Sequence, residues 1–169
     1  MKILGIIPAR YASTRFPGKP LIEILGKSML QRVYEQAKKS KLLTDVVIAT
    51  DDERIATHAK AFGANVVMTK AEHPSGTDRS YEAYLNTKTK YDYIINIQGD
   101  EPFIDPSQID LLAGICDGNT ELATLMIKCN DQALLETFRQ KWGHRNLILC
   151  LTAAASPFVP SSAYSKYAE

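Results

Sequence analysis

Short apolar runs alternate with amphipathic helical segments along most of this chain, and this alternation limits its possible folds more than any other feature. Five runs have the length and composition of strands, at residues 2–7, 45–50, 65–68, 91–97 and 122–127. The segments between them carry apolar residues at helical spacing. Because parallel strands need a long crossover connection, this alternation favours parallel pairing. The pattern predicts an α/β fold with a Rossmann-like, mostly parallel sheet and helices on both faces.

Local signals mark where the predicted helices begin. Ser28 is a favourable N-cap before an apolar series, and the acidic run at residues 51–53 supplies a cap and first-turn acids for the next helix. A third helix is predicted over roughly residues 78–87. A fourth starts at Asp105-Pro106, because proline is well tolerated at the first helical position.

The regular pattern ends near Asp131. An apolar run at residues 147–151 could be a strand, but it continues into Ala153-Ala154-Ala155 without a clear period or a turn signal. Residues 156–169 are typical of a loop or an unstructured end. The chain is therefore divided into an α/β domain, residues 1–131, and an atypical C-terminal tail, residues 132–169.

Charge and cysteine content narrow the possible environments and partners. The net charge of +1 argues against a general nucleic-acid or membrane-surface binder, which needs a basic excess. Cys116, Cys129 and Cys150 are odd in number and widely spaced, so they indicate neither a disulfide framework nor a zinc site. The first apolar run is too short for a signal peptide, and no run reaches transmembrane length. We therefore expect a cytoplasmic protein with no nucleic-acid or membrane partner.

A basic loop follows the first predicted strand. It contains Arg10, Arg15 and Lys19, together with the hydroxyl of Ser13 and the unobstructed backbone of Gly18. Guanidinium and ammonium groups neutralise phosphate oxygens, and arginine offers a planar fork of donors to them. The loop therefore predicts a site for a phosphate-rich anion. The alternative is an exposed basic loop whose charges remain in water.

Two common phosphate-binding motifs do not describe this loop. Gly18-Lys19 is followed by Pro20, whereas a Walker P-loop has a serine or threonine there to contact magnesium. The first strand is also not followed by the glycine pattern of redox dinucleotide-binding domains. The chain therefore carries a different arrangement for binding phosphate.

Polar segments also follow three other predicted strands, at residues 50–52, 75–79 and 98–101. Ligands of open parallel sheets bind beyond the carboxyl ends of the strands, so these segments are expected to form one cleft with the basic loop. Asp100 is suited to hold Mg²⁺ that bridges phosphates. One alternative is that Asp100 is only a turn residue. Another is that residues 75–79 form only a turn and a helix cap, with Arg79 in solvent.

Four motifs stand at these strand ends in a characteristic order: Ile7-Pro8-Ala9-Arg10 continuing to Pro17-Gly18-Lys19-Pro20-Leu21, Ala49-Thr50-Asp51, Ser75-Gly76-Thr77-Asp78-Arg79, and Asn96-Ile97-Gln98-Gly99-Asp100-Glu101-Pro102. Together they resemble the 3-deoxy-manno-octulosonate (Kdo) cytidylyltransferases, or CMP-Kdo synthetases. The first motif alone is shared with other sugar nucleotidyltransferases, including CMP-sialic acid synthetases, whereas the combination is much more specific. The resemblance implies the nucleotide-diphospho-sugar transferase fold and a nucleotide-binding role for residues 1–131.

The resemblance implies transfer of CMP from CTP to Kdo for lipopolysaccharide synthesis, with release of pyrophosphate and with Mg²⁺ as cofactor. The catalytic residues that it implies are Arg10, Lys19 and Asp100, and Asp100 would be the metal ligand. Residues implied in nucleotide binding are Pro8, Ala9, Arg10, Ser13, Arg15, Lys19, Ser75 and Gly76. Arg79 and Gln98 would face the sugar acid, where an arginine suits the Kdo carboxylate.

The sequence departs from the family beyond about residue 131. Members of the family are longer and continue with a strand bearing a Phe-Ser-Arg-Ser-Pro-Ile-Pro-like segment, which residues 145–155 do not match. Later family segments supply sugar contacts, a second magnesium carboxylate and the homodimer interface. The chain is therefore interpreted as a truncated form with an altered tail, in which much of the sugar pocket and the dimer interface are lost. A cytidylyltransferase for another acidic sugar and a non-catalytic CTP-binding fragment are the alternatives.

Overall fold

A computed structural model of the chain describes residues 1–12, 16–120, 122–124 and 152–155. In chain order the strands are β1 (Ile3–Ala9), β2 (Glu23–Ile24), β3 (Lys27–Ser28), β4 (Asp45–Thr50), β5 (Asn65–Met68), β6 (Tyr93–Asn96), β7 (Leu122–Thr124) and β8 (Thr152–Ala155). The helices are α1 (Met29–Ala37), α2 (Glu53–Ala61), α3 (Gly76–Thr87) and α4 (Pro106–Gly114), with a short 3-10 helix at Lys19–Leu21.

The main sheet has six strands in the order β5-β4-β1-β6-β8-β7. β1 lies between β4 and β6 and pairs with both in parallel, and β5 extends the parallel part beyond β4. β8 pairs antiparallel with β6 on one side and with β7 on the other. The predicted α/β fold with a mostly parallel sheet is confirmed.

Helices cover both faces of the sheet, because successive side chains of β1 point to opposite sides. Ile3 and Ile7 belong to one buried cluster, which α1, α2 and α4 complete with Leu30, Val33, Ile55, Ala59, Ile109 and Leu112. Leu4 and Ile6 belong to the second cluster, where Ala83 of α3 packs. Burial on both faces explains why β1 is apolar throughout rather than alternating.

The N-caps lie close to their predicted positions. The side chain of Ser28 accepts a hydrogen bond from the Gln31 amide at the start of α1, and Asp52 accepts one from the Arg54 amide at the start of α2. Asp105 caps α4 in a capping box with Gln108. α3 begins at Gly76, two positions before the predicted start, because Ser75 provides its cap.

The tail contributes a strand that the sequence pattern did not indicate. β8 lies within residues 132–169, and its alanine-rich sequence has no period that marks a strand. β7 confirms the start of the strand predicted at 122–127, whereas residues 125–127 and the apolar run at 147–151 lie outside the described residues. The domain boundary at residue 131 stays a prediction. In the part of the chain that the structure describes, no helix combines the length and apolarity needed to cross a bilayer.

Candidate active site

A cleft of about 810 Å³ opens at the carboxyl ends of β1 and β6. This volume lies within the range of small-molecule sites. Its lining includes most of the predicted site residues, namely Pro8, Ala9, Arg10, Lys19, Gly76, Arg79, Gln98 and Asp100. Ser75 is not part of this lining, although it lies one residue before Gly76 as the cap of α3. Ser13 and Arg15 lie outside the described residues, so their predicted roles are untested.

Two glycines allow loops from different parts of the chain to close around Pro8. A Cβ atom at Gly99 would lie 2.9 Å from the carbonyl oxygen of Pro8, and one at Gly76 would lie 3.2 Å from the Pro8 Cγ atom. Any side chain at Gly99 would therefore push the β6 loop away from β1. These contacts bring the segments after β1, β5 and β6 to one edge of the sheet.

Lys19 and Asp100 form the central charge pair of the cleft. Their Nζ and Oδ2 atoms are 2.7 Å apart, although the residues are separated by 81 positions in sequence. The two side chains remain 42% and 53% exposed, so water and a ligand can reach both groups. An exposed pair of this kind contributes little to stability, which leaves each partner available to a competing anion or cation.

The Arg79 side chain is buried rather than solvated. It is only 1% exposed, its Nη1 atom lies 2.8 Å from Asp51 Oδ1, and it donates a 2.6 Å hydrogen bond to Thr69 Oγ1. Burial lowers the pKa of Arg79, and the Asp51 carboxylate acts in the opposite direction. The alternative of an Arg79 in solvent is therefore wrong, and its predicted contact with the sugar acid stays a prediction.

The two acidic residues after β4, Asp51 and Asp52, have different roles. Asp52 is the predicted helix cap, whereas Asp51 holds Arg79 at the cleft rather than serving the helix. This second role has no local signature in the sequence, because Asp51 and Arg79 lie on different elements. Two signals place Asp51 at the cleft: its position just after a buried strand, where ligands of parallel sheets bind, and its place in the Ala49-Thr50-Asp51 motif.

Asp100 fits the requirements of a magnesium ligand. Its carboxylate is half-exposed in the cleft and already has a cationic neighbour in Lys19. Mg²⁺ commonly uses one or two protein carboxylates and completes its shell with phosphates and water. Among the described residues, no group of three or more His, Cys, Asp or Glu side chains could hold a metal ion by itself. Asp100 therefore suits a metal that arrives with a phosphate ligand.

The neighbouring Glu101 differs from Asp100 in its surroundings. Burial raises the pKa of the Glu101 carboxyl, and the negative charge of Asp100 raises it further. The backbone of Glu101 also shapes the loop, because its carbonyl accepts a 3.1 Å hydrogen bond from the Ile104 amide. Through this backbone contact Glu101 shapes the loop that presents Asp100.

A mostly parallel sheet with a basic cleft at its strand ends is typical of the nucleotide-binding α/β proteins. The comparisons with known proteins narrow this class: a cytidylyltransferase family model matches residues 4–140. The chain belongs to the cytidylyltransferase family.

Named relatives and a solved structure agree with this assignment. The 3-deoxy-manno-octulosonate cytidylyltransferase of Cytophaga hutchinsonii is 56% identical over 135 residues, which cover 80% of this chain and 54% of that protein. The 8-amino-3,8-dideoxy-manno-octulosonate cytidylyltransferase of Shewanella halifaxensis is 47% identical over 137 residues, covering 79% and 56%. A CMP:2-keto-3-deoxy-manno-octonic acid synthetase complexed with CTP matches with a TM-score of 0.77 and 33% identity, over 100% of this chain and 79% of that one. The chain spans about half the length of the curated relatives it matches.

Proposed function

We propose that this chain binds CTP in the cleft and transfers CMP to Kdo, with release of pyrophosphate. The observation that carries the proposal is the meeting of Arg10, Lys19 and Asp100 in one cleft of suitable volume. Two cations and one carboxylate are the groups needed to receive a triphosphate together with its metal. A relative with 56% identity named for Kdo supports the choice of sugar.

Each cleft residue has a role that follows from its position. Arg10 is exposed at the end of β1, and Lys19 begins the 3-10 helix across the cleft, so both can contact triphosphate oxygens. Pro8, Ala9 and Gly76 line the cleft and would frame the nucleotide, and Ser75 orients Gly76 by capping α3. Ser13 and Arg15 would add a hydroxyl and a charge to the triphosphate.

The proposed reaction is an in-line attack by the anomeric hydroxyl of Kdo on the α-phosphorus, with pyrophosphate as the leaving group. Such a transfer depends on positioning and on charge stabilisation more than on covalent chemistry by the protein. Arg10 and Lys19 would stabilise charge on the departing phosphates. Arg79, whose guanidinium remains charged, and Gln98 would orient the sugar acid. Mg²⁺ held by Asp100 would supply further neutralisation of phosphate charge.

A pyrophosphate-release assay with CTP, Kdo and Mg²⁺ tests the proposal directly. Release that needs all three components is the expected result. The control is Lys60→Ala, which removes an exposed lysine of α2 away from the cleft and is expected to keep wild-type release. Failure of CTP to bind, measured by calorimetry, would refute the proposal at its first step.

A second acidic sugar is an alternative that a specific comparison favours. A relative with 47% identity is named for 8-amino-3,8-dideoxy-manno-octulosonate, and it matches nearly the same share of the chain, 79% against 80%. A panel of sugar acids offered with CTP would separate the two substrates by relative kcat/KM. CTP binding without pyrophosphate release for any sugar would instead favour a non-catalytic CTP-binding protein.

A cytoplasmic location and a homodimer belong to the same proposal and follow from the family resemblance.

A further inference from the structure

The segment that carries Arg10 and Lys19 is closed by a contact at its base. The Gly18 amide donates a 2.9 Å hydrogen bond to the carbonyl oxygen of Tyr11. Tyr11 follows Arg10 and Gly18 precedes Lys19, so this bond joins the immediate neighbours of the two cations. Gly18 has a φ of +73°, and a Cβ atom there would lie 3.2 Å from two carbons of the Tyr11 ring. The ring and the glycine backbone therefore pack at the point where the loop begins and ends.

Arg54 contacts this closed base from another element. The central carbon of its guanidinium lies 3.3 Å from the centroid of the Tyr11 ring, which is a stacked cation–π arrangement. Arg54 lies in the first turn of α2, on the segment that follows β4. It is not one of the cleft-lining residues, so its contact is with the loop base rather than with the site.

Asp52 keeps the Arg54 guanidinium in the stacking position. Arg54 Nε donates to Asp52 Oδ1 at 2.9 Å, and Nη2 donates to Oδ2 at 2.6 Å, which makes a bidentate pair. The same carboxylate caps α2 by accepting the Arg54 amide at 2.9 Å. A 60% exposed arginine would otherwise sample many rotamers, so the bidentate pair orients it over the ring in advance.

We propose that Arg54 and Tyr11 are positioning residues that hold the base of the basic loop, and thereby hold Arg10 and Lys19 in the arrangement that binds a triphosphate. The inference rests on the proposed function, because it assigns the cations to a triphosphate. An exposed cation–π contact shifts an equilibrium by roughly two- to five-fold. A variant that populates loop conformations unable to bind the triphosphate has a smaller fraction of the binding-competent conformation. Its apparent affinity falls in proportion to that fraction.

The test compares Arg54→Ala with Lys60→Ala, which removes one positive charge from the same helix without touching Tyr11. CTP affinity by calorimetry is expected to fall about two- to five-fold in Arg54→Ala and to stay at the wild-type value in Lys60→Ala. Tyr11→Phe, which keeps a ring for stacking, is expected to bind as wild type, whereas Tyr11→Leu is expected to match Arg54→Ala. Because the two side chains act as one unit, the double variant Arg54→Ala/Tyr11→Leu is expected to lose no more than either single variant.

Hydrogen exchange of the Gly18 amide provides a readout that needs no nucleotide. Exchange is expected to accelerate about two- to five-fold in Arg54→Ala and Tyr11→Leu, with no change in Lys60→Ala, since this amide closes the loop base. An unchanged exchange rate of the Gly18 amide in Arg54→Ala would overturn the inference. Equal losses of CTP affinity in Arg54→Ala and Lys60→Ala would also overturn it, as would additive losses of CTP affinity in the double variant. If the wild type bound no CTP while Gly18 exchange still depended on Arg54, the proposed function would fail and the Arg54–Tyr11 contact would have only a structural role.

Discussion

The close approach of Gly99 to Pro8 predicts the effect of a single added methyl group. In Gly99→Ala the new Cβ atom would lie 2.9 Å from the Pro8 carbonyl oxygen and 3.5 Å from Ile7 Cγ2. The first atom belongs to the backbone of β1, which is paired on both sides and cannot move freely. The loop between β6 and α4 must therefore shift, and it carries Gln98 and Asp100 with it.

The expected cost is that of overpacking, about 1–3 kcal/mol of unfolding free energy. Gly99 does not have a positive φ, so alanine can adopt its backbone conformation. The lower entropy of the unfolded alanine variant offsets about 0.4–1 kcal/mol of this cost. We expect a net destabilisation of about 0.5–2 kcal/mol, measured by urea unfolding followed by circular dichroism, together with weaker CTP binding by the folded protein.

Gly114→Ala is the matched control. Gly114 is the last residue of α4, and the nearest atom to a Cβ there is Leu42 Cδ1 at 3.9 Å, so the methyl group fits. Alanine is favoured over glycine by about 0.5–1 kcal/mol in a helix interior, and at this terminal position stability should stay the same or rise by less than that amount. The reasoning about Gly99 would be refuted if both variants were equally stable, or if Gly99→Ala bound CTP as tightly as the wild type.

Three further predictions concern charges and hydroxyls. Lys19→Ala is expected to change the unfolding free energy by less than about 1 kcal/mol, because its ion pair is exposed, while CTP affinity by calorimetry falls at least tenfold; unfolding with unchanged affinity of the folded fraction would contradict this. Asp51→Asn leaves the buried Arg79 without its carboxylate and is expected to cost about 3 kcal/mol in urea unfolding, and a loss below about 1 kcal/mol would count against it. Burial, together with the hydrogen bond to Asp45, raises the pKa of Tyr91 from 10.0 to about 12. Since the folded pKa is the higher one, this contribution to stability is complete below pH 10 and is lost as pH rises toward 12, so the alkaline loss of stability should be smaller in Tyr91→Phe, and identical pH profiles would exclude the effect.

The features that could be predicted from sequence are those with a local signal. Strands buried on both faces leave continuous apolar runs, and Ser28 and Asp105 have the side chains that cap helices. The location of the cleft followed from a general property of parallel sheets, which place loops from distant segments at one edge. For this reason Arg10, Lys19 and Asp100 could be assigned to one site before any distance was known.

The features that could not be predicted depend on which distant groups become neighbours. Nothing near Lys19 indicates that Asp100 will be its partner, and Arg79 lies in a polar segment that resembles an exposed turn. The stacking of Arg54 on Tyr11 likewise joins a helix and a loop with no shared sequence pattern. β8 was missed because its stability depends on pairing with β6 and β7 rather than on its own composition.

The position of β8 has a consequence for the order in which the molecule is assembled during synthesis. β6 carries the loop of Asp100, and its edge away from β1 is occupied by residues 152–155, with Ile94 opposite Ala154. During translation β8, which covers that edge, is made only after β1 to β7. Until β8 is added, β6 presents unpaired backbone groups to solvent and to other nascent chains. β6 can thus pair with β1 early, whereas its second edge is covered only by a segment that is made after β1 to β7.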